Sequence, residues 1–303
     1  MKALASAALA LLLTLGATAA AQDPRGLIES KESLYNNIYV YKQGSYVTMT
    51  FGHNRTLYTE SVYNALDDRE LPVAYTRYMT ASLMYPKKVG SVLEIGFGGG
   101  RTAWYLHRFF PNVPITSVEL DPAVVALAKK HFGIKDEPGF HLVTSDGRMY
   151  LASAKTRYDI ILIDAYRGPF VPFHLLTKEF YQLVKDHLTE GGVVTQNVEP
   201  STMLFDSAVK TMQSVFSQVD FYEAAGNLVS IAYDGPPRSA DELARVARER
   251  QAAFQLRYEL EPMLHQRRRL LSDTIDLKAK LLTDDFAPVE TLKNIERHNR
   301  KWK

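Results

Sequence analysis

Cysteine is absent from the 303 residues. That excludes disulfides, thiolate metal sites and a cysteine nucleophile. An excess of one charge is also missing: 36 Lys and Arg face 34 Asp and Glu, a formal +2. So small a balance argues against nucleic acid as a partner, which would need a basic surface. No internal repeat or low-complexity linker interrupts the chain. Long apolar runs are missing too, with one exception at the N-terminus. Lys2 is followed by an apolar stretch from Ala3 to Leu15 and by the small residues Ala17-Thr18-Ala19-Ala20-Ala21. This pattern predicts a secretory signal peptide over residues 1–21, cleaved after Ala21. An uncleaved anchor is the alternative, because the run approaches the ~20 residues needed to span a bilayer. The alanine richness and the small-residue end favour cleavage. The expected product is an exported, periplasmic chain with no membrane span once the signal is removed.

What is present is a full complement of core-forming residues, 46 % of the chain, in an order that alternates strand and helix. Residues 22–71 read as a small N-terminal β domain, with Ile38–Tyr41 and Tyr46–Phe51 as strands and Gln43-Gly44 as the hairpin turn. A helix is expected over Pro72–Met84. Residues 72–236 then carry strands at Val89–Ile95, Ile115–Glu119, Phe140–Thr144, Ile160–Asp164 and Gly192–Gln196. Helices fall at Thr102–Phe110, Pro122–His131, Gly147–Ala152, Lys178–His187 and Met203–Val215. A closing hairpin, Val219–Ala224 and Leu228–Tyr233, turns at Gly226-Asn227. The predicted fold is α/β: a doubly wound, methyltransferase-type Rossmann sheet. Residues 237–303 read as a helical C-terminal tail. It opens on the capping box Ser239…Glu242 and stays helical to about Arg269. Arg267-Arg268-Arg269 reads either as a solvated helix face or as an interaction patch.

The chemistry gathers at the carboxyl ends of the strands, where such sheets bind ligands. Strand Val92–Ile95 runs into Glu94-x-Gly96-x-Gly98-x-Gly100. A dinucleotide fingerprint would need glycine at 101, where Arg101 stands. The spacing is that of S-adenosylmethionine-type folds, in which glycines let backbone N–H groups approach a nucleoside. Glu119 ends the second strand, where a carboxylate can accept both ribose hydroxyls. Asp146, before Gly147, can accept from an adenine amino group, or can simply cap the next helix. Asp164 closes the almost wholly apolar run Tyr158–Asp164 and is the candidate proton acceptor.

These residues resemble the spermidine synthase family of aminopropyltransferases over roughly residues 34–234. The shared motifs are the glycine turn, Val118-Glu119-Leu120-Asp121, Asp146-Gly147, the run ending at Asp164, Phe180-Tyr181 and Gly191–Gln196. The resemblance implies that Glu119 and Asp146 hold the donor's nucleoside, that Asp164 is the general base, and that Tyr75 lines the acceptor site. It also implies a homodimer. Three departures stand out. Gly99 replaces an acid within the turn, Arg167 replaces the second acid of the Asp-x-x-Asp motif, and Arg77 replaces the acid after the tyrosine. Asp164–Thr177 and Leu282–Glu290 look like the divergent spermidine synthase-like branch. Tyr166 and His174, in the loop over the pocket, are either acceptor contacts or packed loop residues. Asp284-Asp285 is either a cap or cation site, or a polar turn.

Three functions are therefore expected to compete. The first is transfer of an aminopropyl group from decarboxylated S-adenosylmethionine to an amine or polyamine-like acceptor. The second is methyl transfer from S-adenosylmethionine, with Arg101 or Arg167 pairing the donor's carboxylate. The third is an exported, non-catalytic nucleoside- or polyamine-binding protein. None of them calls for a metal.

Overall fold

The computed structural model describes residues 26–53, 56–168, 170–202, 204–269, 275–276 and 278–286. The signal segment 1–21, Met203 and Pro288–Glu290 lie outside the described residues. Four strands, β1 (Leu27–Glu32), β2 (Asn37–Gln43), β3 (Tyr46–His53) and β4 (Thr56–Asn64), form an antiparallel meander. Alternation puts Ile38, Val40, Val47, Met49 and Phe51 on one buried face, which shares a hydrophobic cluster with Phe97 of the glycine turn and with Trp104 and Tyr105 of the helix that follows it. The meander is therefore docked on the rest of the chain by apolar burial. Strand β4 has one irregularity. Met49 pairs with Ser61 and Thr50 with Thr59, so Glu60 is an extra residue with no partner opposite it. This is a β-bulge, a device that bends a strand and re-aims a side chain.

The second sheet holds eight strands: β5 (Val92–Ile95), β6 (Ile115–Glu119), β7 (Phe140–Thr144), β8 (Tyr158–Ile163), β9 (Leu188–Val198), β10 (Gln218–Ala224), β11 (Asn227–Tyr233) and β12 (Arg267–Arg268). Their spatial order is β12-β10-β11-β9-β8-β5-β6-β7. Strands β5 to β9 run parallel, and β10 and β11 close the sheet as an antiparallel hairpin. Val92–Ile95 and Tyr158–Ile163 are buried throughout, as expected for central strands covered on both faces. The connecting helices are α2 (Arg101–Phe109), α3 (Pro122–His131), α4 (Gly147–Ser153), α5 (Lys178–Asp186) and α6 (Phe205–Val215). From β5 the chain order runs outward in both directions, to β6 on one side and β8 on the other. That reversal opens the crevice where ligands of this architecture sit.

Two expectations are corrected. Helix α1 covers only Ala74–Met79 and tightens into a 3-10 turn over Thr80–Met84. The tail is not helical to Arg269. Helix α7 (Ala240–Phe254) starts on the Ser239 cap but stops at Gln255, whose φ is +50°. Leu256, Leu260 and Met263 keep a helix-like spacing, yet they are buried from a non-helical stretch and a 3-10 turn over Glu261–Gln266. Arg267–Arg268 then adds a strand to β10. The arginine triplet is neither a solvated helix face nor a free patch. Arg267 Nη2 lies 2.7 Å and Arg269 Nε 3.4 Å from the fully buried Asp220 carboxylate, which also accepts from Tyr85 Oη at 3.0 Å. Removing one partner of a buried ion pair leaves the other uncompensated. Asp220→Asn should therefore lower unfolding free energy by about 3–5 kcal/mol in urea melts followed by circular dichroism. A loss of less than about 1 kcal/mol would mean that the pair is screened like a surface bridge.

Candidate functional site

A cavity of about 400 Å³ opens at the switch point, between the ends of β5, β6 and β8 and the inner face of the N-terminal meander. Its lining includes Glu94, Gly96, Gly98, Glu119, Asp146, Gly147, Asp164, Tyr75, Tyr166, Arg167 and His174, together with Glu60 and Asn36. Gly99, Gly100, Arg77, Asp284 and Asp285, also singled out in the sequence, do not line it. Gly100 serves elsewhere, as the left-handed N-cap of α2.

Asp164 follows β8 and is gripped on both oxygens. Tyr75 Oη donates to Oδ2 at 2.9 Å, and Asn197 Nδ2 donates to Oδ1 at 3.0 Å. The amide of Asn197 is oriented in turn, because its Oδ1 accepts from Asn227 Nδ2 at 2.9 Å and its backbone carbonyl accepts from Tyr166 Oη at 3.0 Å. Burial raises the Asp164 pKa to about 6, against the two hydrogen bonds, which favour the charged form. Tyr75 is driven well above the usual phenol range, by burial first and then by the Asp164 charge, so it stays a proton donor. Asn197 carries no motif and is missed by sequence reasoning. Its one signal is its place at the end of β9, next to β8.

The glycine turn works differently from the expectation. Four of its N–H groups are taken up within the protein. Phe97 N–H and Gly98 N–H donate to Glu119 Oε2 at 2.9 and 3.2 Å, Gly96 N–H donates to Val118 O at 2.9 Å, and Gly100 N–H donates to Phe97 O at 2.7 Å. What the glycines supply is space. Gly96 has φ +89°, and a Cβ there would run into the backbone of Asp164 and Ala165. A Cβ on Gly99 would lie 2.6 Å from the Phe132 ring and 2.7 Å from Ser61 Cβ. The acid that the related family carries at this place therefore has no room. Glu119 ends β6 with its second oxygen accepting from Asp121 N–H at 3.0 Å, and burial raises its pKa. Oε2 already accepts two N–H groups, while Oε1 accepts one and keeps a lone-pair direction for a ribose hydroxyl.

Asp146 takes one of the two roles its sequence allowed, that of a helix cap. Oδ1 caps α4 through Met149 N–H at 2.9 Å, while Oδ2 lies 2.8 Å from His174 Nε2. His174 is thus a hydrogen-bonded loop residue on the cavity wall. Arg101 lines the cavity with its Nε unpartnered among the described residues, but its two terminal nitrogens turn to carbonyls of the protein. Its guanidinium is buried, donates to the carbonyls of Phe132 and Asp68, and lies 4.6 Å from the centre of the Tyr63 ring. Arg77 turns away as well, donating to Leu71 O at 2.7 Å and stacking on Tyr258. Arg167 is exposed at the cavity mouth. Asp284 pairs with Arg148 and fastens the tail to α4 rather than lining the cavity, and Asp285 is an exposed turn residue. Among the described residues no cluster of His, Asp and Glu could hold a metal.

Two further carboxyls press on the site. Glu94, buried on β5, accepts from Ser117 Oγ at 2.5 Å, and burial raises its pKa to about 8. Glu60 reaches the cavity from the bulge in β4. Burial raises its pKa well above the ordinary carboxylate range, and the charges of Asp164 and Glu119 raise it further. It too was missed by sequence reasoning. Because the folded-state pKa of Glu94 exceeds 4.5, its ordinary value, the neutral form is the one that stabilises the fold. That contribution is complete below about pH 4.5 and is lost as pH rises through about 8. Glu94→Gln should remove this dependence, so that at pH 9 the variant gains up to about 5 kcal/mol on the native chain relative to pH 4. Urea unfolding of both proteins across that range checks it. A pH-independent difference would refute the assignment.

Against this geometry, residues 73–227 match the family model described as the spermine/spermidine synthase domain. A polyamine aminopropyltransferase of Vibrio vulnificus is 29 % identical over 279 residues, covering 88 % of this chain and 91 % of that protein. The crystal structure of a probable spermidine synthase from Corynebacterium glutamicum superposes with a TM-score of 0.65 at 19 % identity, over 86 % of this chain and 97 % of that one. A spermidine synthase solved with the transition-state analogue AdoDATO gives a TM-score of 0.65 at 22 % identity, over 80 % of this chain and 84 % of that one. At such identities the two structures speak for the fold, a methyltransferase-like Rossmann sheet with an N-terminal antiparallel sheet.

Proposed function

The chain belongs to the spermine/spermidine synthase domain family, and from that premise we propose that it transfers an aminopropyl group from decarboxylated S-adenosylmethionine to an amine. The observation that carries this reading is Asp164, a desolvated carboxylate held between Tyr75 and Asn197 on the same cavity wall as Glu119. Glu119 and Asp146 are the residues that would take the nucleoside's ribose and base. The donor supplies a carbon activated by a positive sulfur. Asp164 accepts a proton from the acceptor's ammonium, which frees the nitrogen lone pair. That pair forms the new C–N bond as the C–S bond breaks, and the electrons of the broken bond stay on sulfur, leaving a neutral thioether. Tyr75 and Asn197 hold the carboxylate in one orientation and oppose the burial that would otherwise keep it protonated. The exposed Arg167 at the mouth disfavours a second ammonium there and points to an acceptor other than a short diamine spanning the cavity.

Asp164→Asn should keep the fold and cut turnover by about 10²–10⁴-fold, the usual worth of a positioned base. In the native protein kcat/KM should rise with pH through about 6, because only ionised Asp164 accepts the proton. The readout is release of methylthioadenosine with a panel of amines. An unchanged rate in the variant, or no release with any amine, would refute the reading.

On the sequence pattern of residues 1–21 we further propose export with removal of that segment. On the family resemblance we propose pairing of two copies through the N-terminal meander, where Leu27, Ile28 and Tyr46 are exposed. Protein from a periplasmic fraction should begin at Gln22 by intact mass and elute as a dimer. A full-length mass or a monomer would refute the corresponding part.

A further inference from the structure

The cavity holds one carboxyl with a buried oxygen that no described residue satisfies. Glu60 Oε1 is buried and has no hydrogen-bond partner. A buried acceptor left unpaired is costly and rare in a native structure, and it calls for an explanation. Glu60 is also not where regular pairing would put it. It is the bulged residue of β4, and its side chain reaches the cavity wall shared with Asp164 and Glu119. The bulge lies against the glycine turn: a Cβ on Gly98 would be 3.9 Å from Glu60 O, and one on Gly99 would be 2.7 Å from Ser61 Cβ. Strand β4 thus fills the place where a side chain at position 99 would go.

We infer that Glu60 is the counter-charge for the donor's terminal ammonium and selects a donor that lacks a carboxylate. The inference rests on the aminopropyl-transfer reading above and names the residue that fixes its donor. A sulfonium nucleoside whose ribose meets Glu119, and whose reacting carbon faces Asp164, carries its tail between those two acids. Glu60 lines the same cavity as both of them. An ammonium there satisfies the orphaned oxygen. A tail that also bears a carboxylate meets like charge at Glu60, while Arg101 gives both terminal nitrogens to carbonyls and Arg167 lies at the mouth. Glu60 also explains how the site works with glycine at 99. The acid has moved from the turn to the bulge packed on it.

Calorimetric titration of the full chain and of Glu60→Gln with decarboxylated S-adenosylmethionine, S-adenosylmethionine and methylthioadenosine tests this. The native chain should prefer the decarboxylated donor. The variant should bind it about 10- to 100-fold more weakly, the worth of a hydrogen bond to a charged group. Methylthioadenosine, which has no ammonium, should bind both proteins alike. Native-level binding of the decarboxylated donor by the variant would overturn the assignment, as would an equal loss with methylthioadenosine. If the variant does not fold, the native chain decides: a preference for S-adenosylmethionine, or none, overturns it. A transfer assay separates the two claims. Selective binding through Glu60 without transfer to any amine sinks the transferase reading alone. Transfer with an unchanged donor KM in the variant sinks the Glu60 assignment alone.

Discussion

The site depends on withholding water from carboxylates. Four of them, Glu60, Glu94, Glu119 and Asp164, are drawn toward one cavity, and for each of them burial is the largest influence on its proton affinity. The protein answers each differently. Glu94 is left neutral beside Ser117. Glu119 is held by three backbone N–H groups. Asp164 receives two side-chain donors, which bring it to about 6. Glu60 is left with an oxygen unanswered. A gradient of compensation across a few ångströms turns four similar groups into different instruments, because each hydrogen bond to a carboxylate favours its charged form. A cation entering the cavity meets the least satisfied of them.

The Asn197 donor on Asp164 is itself held in place. Asn227 sits at the start of the closing hairpin and fixes the amide of Asn197, which then points its N–H₂ at Asp164. A tight turn far along the chain therefore sets the orientation of the base. The antiparallel β10–β11 hairpin orients the base as well as finishing the sheet.

Much of this was legible in the sequence, for a physical reason. Parallel central strands are apolar over their whole length, so an acid at the end of one stands out, and the architecture sends strand ends to one place. Glu94, Glu119, Asp146 and Asp164 were visible on that ground alone. What was hidden depends on contacts between distant segments. The sequence does not show that Phe132 and Asp68 present carbonyls to Arg101. The triplet Arg267–Arg269 looked like a surface feature because Asp220, its buried partner, lies about fifty residues earlier on a strand with no other acid inside. The charged tail read as helical to about Arg269 because nothing in its sequence marks the left-handed turn at Gln255. Glu60 was invisible because a bulge is one extra residue in a register, and register is not written in a single strand.

The bulge gives the small N-terminal sheet a part in the chemistry. Had β4 continued in regular alternation, position 60 would face away from Ser61, which is buried against the glycine turn. Inserting one unpaired residue turns an acid toward the cavity while Ser61 still packs against Gly99. The same packing forbids an acid at 99. The two changes therefore constrain each other: a side chain at 99 would push β4 away and withdraw Glu60, whereas an intact bulge requires glycine at 99. A chain can carry its acid on the turn or on the sheet above it, but the space allows only one of these at a time.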